Sequence, residues 1–375
     1  MTLCSESGNK NIIVDMGLRK TYFEQIKPDL LKMAENNEKI DLLIITHIDQ
    51  DHIQGSLSFF EENGNDSKII EVKEVWHNSF RHLQFDKKDS LPDSESKILK
   101  KIISQNLTNT VDGKSDISAH EGSSLSALLL KNNYRWNYST QGQAIHTCSK
   151  REYEFDNFKI DLLSPNRIKL DKLSKFWLGY LEDQKYNFTI TDDTLFDDAF
   201  EFMTMNEVPN DVEKSDISKD RTLDFEMLSY TDAKSKDIDK RAPNGSSIAF
   251  ILTFKGKKLL FLADAHDDII LDELKSKFPS KPPRFDLIKI PHHGSNNNYR
   301  RELSDFIKSD TYLISTDGEH HGHPNIEVIA KISNSLGFKK IIFNYEHDTY
   351  RKVNVKPIKE KYNVDFVVSN DFTIE

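Results

Sequence analysis

The stretch that most constrains this chain runs from Asp41 to His52: Asp-Leu-Leu-Ile-Ile-Thr-His-Ile-Asp-Gln-Asp-His. A short apolar run of this kind reads as a buried strand. It passes without a break into His47, Asp49, Asp51 and His52, four side chains able to ligate a metal within six residues. Imidazole together with carboxylate suits zinc, manganese or iron, and the lack of thiolate disfavours a structural zinc site. Four donors this close can feed two adjacent ions, and the strand end gives them a rigid base. A solvated acidic loop that happens to contain two histidines is the weaker reading.

The rest of the 375 residues suggests a globular α/β protein. Lys and Arg number 51 and Asp and Glu 61, a net charge of -10, which argues against a broad basic face gripping duplex nucleic acid but leaves room for a local groove. No apolar run approaches the ~18–20 residues that span a bilayer, and the N-terminus does not read as a signal peptide. Cys4 and Cys148 provide neither a disulfide framework nor metal-ligand spacing. A soluble, reducing, cytoplasmic setting is expected. Strands are expected over 11–15, 41–46, 285–290, 311–315 and 340–345, and helices over 21–37, 94–107 and 123–132. Ser247–Phe254 and Lys258–Ala263 flank Lys255-Gly256-Lys257 as a hairpin. The chain is read as one domain, 1–375, with polar insertions at 80–145 and 184–241. The second of these shows little periodicity and reads as an insertion or mobile loop.

Three later clusters fit beside the first. Phe261-Leu262-Ala263-Asp264 ends an apolar strand in an acid that could bridge two metals; alone, such an Asp is more often a helix cap. Ile290-Pro291-His292-His293-Gly294-Ser295 ends another strand in imidazoles. The segment 315–324 carries His320, His321 and His323, of which the first two are expected to be exposed and His323, before Pro324, to be held in place.

These motifs, in this order, resemble metallo-β-lactamase-fold hydrolases. More narrowly they resemble stand-alone bacterial relatives of the hydrolase domain of the ComEC competence protein, where Ser/Thr-His-x-Asp-x-Asp-His is typical. The matching residues are Thr46-His47-Ile48-Asp49-Gln50-Asp51-His52, Ile13-Val14-Asp15-Met16-Gly17, Leu262-Ala263-Asp264, His292-His293-Gly294-Ser295 and Gly322-His323-Pro324. Weaker family-like stretches are Trp76-His77-Asn78, Leu163-Ser164-Pro165, Ser246-Ser247-Ile248 and Phe343-Asn344-Tyr345. Three departures stand out. The opening strand of such relatives looks missing or unusually short. Ala263 replaces the Gly common before the bridging acid, a change that is tolerable if the backbone there is not left-handed. The intervening ligand histidine has no obvious counterpart, His77 and His146 being the candidates.

The resemblance implies an αββα sandwich with the metals at one edge. His47 and Asp49 would hold one ion, Asp51 and His52 the other, with Asp264 across both and His292 completing the shell. The ions would be two divalent cations, Zn²⁺ or Mn²⁺, supplying a dimetal-activated hydroxide. Asp51, His293 and His323 would serve the chemistry, His323 as leaving-group acid or phosphate contact, and Asp15 would orient a ligand or a turn. Lys281 to Arg284 and Tyr299-Arg300-Arg301 are candidate phosphate contacts, with ordinary surface charge the slightly stronger reading. The expected activity is a phosphodiesterase or nuclease on DNA, RNA or a nucleotide. The alternatives are hydrolysis of esters, thioesters or lactones, or a metal-binding subunit of a bacterial defence or toxin-like complex, with a protein partner from the same operon.

Overall fold

The structure, a computed structural model, describes residues 1–5, 8–83, 90–107, 124–183, 189–205, 224–319 and 322–374. The chain forms two compact units, one made of Met1–Lys150 and Arg167–Val208, the other of Arg151–Asn166 and Pro209–Glu375. Both are mixed α/β.

The first unit holds a four-stranded sheet in the order β1-β2-β3-β4, comprising β1 (Thr2–Leu3), β2 (Lys10–Val14), β3 (Ile40–Ile44) and β4 (Val75–Trp76). The opening strand expected to be missing or unusually short is β1, two residues long and antiparallel to β2, with Thr2 opposite Asn11. β2, β3 and β4 run parallel. Every residue of β3 is buried, including Asp41. That carboxylate is tolerated because it accepts the Asn11 N–H at 2.9 Å and the Lys73 ammonium at 2.7 Å.

Pro28 shapes the expected helix at 21–37. It sits in the first turn of Lys27–Glu35, and a π-helical turn, Tyr22–Ile26, precedes it. A proline has no N–H to give an i−4 carbonyl, so the helix widens into that turn instead. The helices Asp93–Leu107 and Leu125–Lys131 form where the sequence places them, the second capped by Ser124, whose Oγ accepts the Ala127 N–H at 3.1 Å. The segment read as a polar insertion or loop is corrected in part: Thr194–Met205 is a helix burying Phe196, Ala199, Phe200 and Met203. Residues 184–188 and 206–223 of that segment lie outside the described residues. Asp197 and Glu201 on this helix are buried with partners. Arg81 donates to Asp197 from its backbone N at 3.1 Å and its Nε at 3.0 Å, and Ser79 Oγ donates to Glu201 at 2.6 Å.

The second unit is built on an eight-stranded sheet in the order β14-β13-β12-β10-β8-β7-β6-β5. Its strands are β5 (Glu152–Phe155), β6 (Phe158–Ser164), β7 (Ala249–Phe254), β8 (Lys257–Phe261), β10 (Leu287–Lys289), β12 (Thr311–Ile314), β13 (Lys339–Phe343) and β14 (Val364–Val368). A separate parallel pair is formed by β9 (Arg284–Phe285) and β11 (Lys308–Ser309), so the single strand expected at 285–290 is split between two sheets. The expected hairpin joins β7 to β8, with Lys255 and Gly256 both at positive φ, 47° and 81°. That pair of left-handed residues is what a two-residue I′ turn requires, and glycine takes the second position without strain.

From β8 to β14 the sheet is parallel throughout. Leu260, Ile288, Ile314, Ile341 and Phe343 are buried along it with Ile270 and Leu274 of the helix Asp267–Lys277 and Ile329 of the helix Ile326–Ser333. Because these strands point one way, the segments after β8, β10 and β12 leave the same carboxyl edge. That edge is where open α/β sheets place their chemistry.

Candidate functional site

In the first unit, β3 delivers Thr46 and His47, and the helix Gln50–Asn63 starts three residues later. Asp49 is its N-cap residue and makes no side-chain cap hydrogen bond. Asp51 lies in the first turn, where the helix dipole favours an anion. His47 and His52 are buried, with ring centroids 4.2 Å apart and ligand atoms within 4.8 Å of one another.

The orientation of both rings is set from behind. Asp15 accepts the Thr46 N–H at 2.7 Å and the Thr46 hydroxyl at 2.8 Å, and it lies 2.8 Å from His52 Nδ1. Thr46 Oγ1 lies 3.1 Å from His47 Nδ1. With each Nδ1 engaged, each Nε2 faces a carboxylate: His47 Nε2 is 3.6 Å from Asp49 and His52 Nε2 is 3.6 Å from Asp51. These separations are too long for hydrogen bonds. Two ligands about 2.1 Å from one tetrahedral ion would stand about 3.4 Å apart. Each imidazole–carboxylate pair is therefore spaced as two ligands of a divalent metal ion would be. A carboxylate behind a ligand histidine is also the usual way such rings are oriented.

The loop that carries Asp15 is pinned by a glycine that the sequence reading did not single out. Gly55 faces Met16 so closely that a Cβ would stand 2.2 Å from the Met16 carbonyl oxygen, and the Gly55 N–H donates to Gly17 O at 2.8 Å. Asp15 itself has φ 56°.

In the second unit, the residues after β8 and β10 gather a second set. Asp264 is buried, and the cap of the following helix is His266, so Asp264 is not the helix cap that such a residue more often is. His292 Nε2 lies 3.7 Å from Asp264, a third imidazole–carboxylate pair at this spacing. His292 Nδ1 is engaged by Asn298 Oδ1 at 2.7 Å, and His293 Nδ1 donates to the Ser315 carbonyl at 2.7 Å. His323 is buried with its ring 5.4 Å from that of His292. Burial works against a charged His292, but Asp264 and Asp239 outweigh it and push its pKa up to about 9. Asp239 in turn is held well below the usual carboxylate range: burial opposes this, but His266 and His292 override it.

Backbone strain concentrates here. Ala263, His292 and His293 have φ of 47°, 44° and 54°. Position 263 is thus left-handed, and the condition under which alanine would be neutral there does not hold. Strain of this kind, of order 1–2 kcal/mol per residue, collects at sites whose geometry the surrounding fold dictates.

The other candidates are accounted for as follows. His77 is fully buried, 3.2 Å from Glu201 and stacked on Trp136, while burial and Arg167 lower the pKa of half-buried His146; the His47–His52 cluster includes neither. Arg300 is paired with Asp267 at 2.8 Å, Arg301 with Asp305 at 3.2 Å, and Tyr299 is buried. Arg284 is paired with Asp310, and both line a cleft of about 370 Å³ with Lys340 and Phe372, at the amino ends of β12 and β13. These three arginines are thus each engaged by an aspartate. His320 and His321 lie outside the described residues. Asp239 and Asn298 went unmarked in the sequence because a lone Asp or Asn in a polar segment carries no periodic signal. Among the described residues, no helix is long and apolar enough to cross a membrane.

No curated protein matches the chain. Residues 4–124 match the family model of the metallo-beta-lactamase superfamily, a segment that contains Asp15, His47, Asp49, Asp51 and His52 and implies a metal-dependent hydrolase.

Proposed function

We propose that the protein is a dinuclear metal-dependent phosphodiesterase acting on DNA, RNA or a nucleotide, of the kind found in stand-alone relatives of the ComEC hydrolase domain. The observation that supports this reading is the repeated pairing of an imidazole Nε2 with a carboxylate at 3.6–3.7 Å, each ring held through Nδ1. His47 with Asp49 and Asp51 with His52 would hold the two ions, and in the second unit Asp264 and His292 would be the metal ligands. Bound Zn²⁺ or Mn²⁺ would supply Lewis acidity and an acidified water. An all-nitrogen-and-oxygen donor set suits phosphoryl chemistry.

The chain's own side chains do the remaining work. Asp15 and Thr46 hold the first two imidazoles in place, and Asp51 sits where it can also orient a water. His293, fixed by the Ser315 carbonyl, and His323 face the substrate in this reading. Imidazole is the side chain best suited to give a leaving group its proton near neutral pH. With Arg300 and Arg301 committed to ion pairs, the substrate's charge falls to the metals and these histidines.

The test is one assay with Mn²⁺ or Zn²⁺ on single-stranded DNA, duplex DNA, RNA and bis(p-nitrophenyl) phosphate, run beside an Asp51→Ala/His52→Ala double variant. Metal-dependent cleavage lost in the variant supports the proposal. Silence on every phosphodiester by protein with stoichiometric metal refutes it and leaves ester chemistry, or a partner-dependent role in a defence-type complex.

A further inference from the structure

Asn298 is fully buried and touches three groups of the second unit. Its Nδ2 donates to Asp239 Oδ2 at 2.8 Å and to the backbone carbonyl of Asp264 at 3.2 Å. Both partners are acceptors only, so the amide nitrogen must face them. The amide oxygen is then the atom 2.7 Å from His292 Nδ1. An oxygen without a proton cannot donate, so Nδ1 must carry the hydrogen. Asp239 is itself fixed, accepting from Asn244 Nδ2 at 2.7 Å and the Arg241 N–H at 2.9 Å.

We propose that Asn298, anchored by Asp239 and the Asp264 carbonyl, is the positioning residue that holds the Nδ1–H of His292, so that Nε2 is the ring nitrogen turned to the Asp264 carboxylate. One amide thereby ties the segment after β8 to the segment after β10. The value of this device to the protein rests on the metal-centre reading above, in which His292 is a ligand. The hydrogen-bond logic does not.

Two measurements separate the two. In metal-free protein labelled with ¹⁵N-histidine, His292 should show an Nδ1–H resonance protected from solvent exchange, assigned by its loss in His292→Gln. Asn298→Leu, close in volume, should lose that resonance, and Asp239→Ala should weaken its protection. Zn²⁺ affinity should fall 10- to 100-fold in Asn298→Leu, the range for lost support of a ligand histidine. Persistence of the protected Nδ1–H in Asn298→Leu overturns the proposal. If that variant does not fold, the native protein decides, because absence of a protected Nδ1–H at His292 overturns the proposal equally. A protected Nδ1–H that Asn298→Leu abolishes, in a protein that binds no metal, upholds the positioning role and refutes the metal-centre reading alone.

Discussion

Gly55→Ala tests how the metal-facing turn of the first unit is assembled. The added Cβ would stand 2.2 Å from Met16 O, 2.8 Å from Met16 C and 3.0 Å from Gly17 O. Carbon and carbonyl oxygen come no closer than about 3.3 Å even in favourable contacts, so the helix and the 15–17 turn must separate by about 1 Å. Overpacking of this sort costs about 1–3 kcal/mol. The movement also stretches the 2.8 Å bond from Gly55 N to Gly17 O, worth about 1 kcal/mol. Against these stands about 1 kcal/mol of better helix propensity for alanine. The net is a loss of about 1–3 kcal/mol, or roughly 2–12 °C in Tm for a unit of this size. Because Asp15 rides on the displaced turn, Zn²⁺ affinity should drop together with stability. Thermal unfolding by circular dichroism, with chelator and with Zn²⁺, beside Gln54→Ala as a control in the same helix, checks both. A Gly55→Ala protein melting within 1 °C of the native one, with unchanged Zn²⁺ affinity, would refute the argument.

Three further outcomes are expected. Asp15→Ala removes the acceptor behind His52 and should weaken Zn²⁺ binding about 10- to 100-fold while sparing most of the fold, as titration calorimetry would show. Ala263→Gly relieves a left-handed alanine, and with about 1–2 kcal/mol of strain set against about 0.5–1 kcal/mol of glycine entropy it should be neutral or stabilising by up to about 1.5 kcal/mol in urea unfolding; a clear loss would count against the strain assignment. Burial raises the pKa of Asp198 to about 6 from 3.8, with Glu201 adding to the rise and Ser124 opposing it. A carboxyl raised in the fold adds stability below its unfolded pKa and loses it as pH climbs through about 6. Asp198→Asn should therefore gain on the native protein by about 1–2 kcal/mol between pH 4 and pH 7, and a pH-independent difference would show the reasoning wrong.

Much of the fold could be read in advance because its strands carry their own signal. β2, β3, β7, β8, β12 and β13 each contain at least three consecutive apolar residues, and the β7–β8 turn announces itself through Lys255-Gly256. The helix Thr194–Met205 was not legible, since Asp197 and Glu201 look like surface charge until Arg81, Ser79 and His77, more than 100 positions away, are seen to meet them. At the candidate site the ligand-type residues stand out because histidines and acids crowd the ends of apolar strands. Their supports do not. Gly55, Asp239 and Asn298 act through contacts that close only in three dimensions, and each sits in a sequence where its residue type is unremarked.

The parallel half of the large sheet has a consequence for how readily this protein could be repurposed. Strand pairing from β8 to β14 runs through backbone groups and buried aliphatic side chains, while Asp264, His292, His293 and His323 are mounted beyond the last paired residues. Foldability and reactivity are thus written in different letters of the same chain. A lineage could erase every imidazole on that edge and keep a folded scaffold, or rewrite the three segments and acquire a new substrate, without altering the strands beneath.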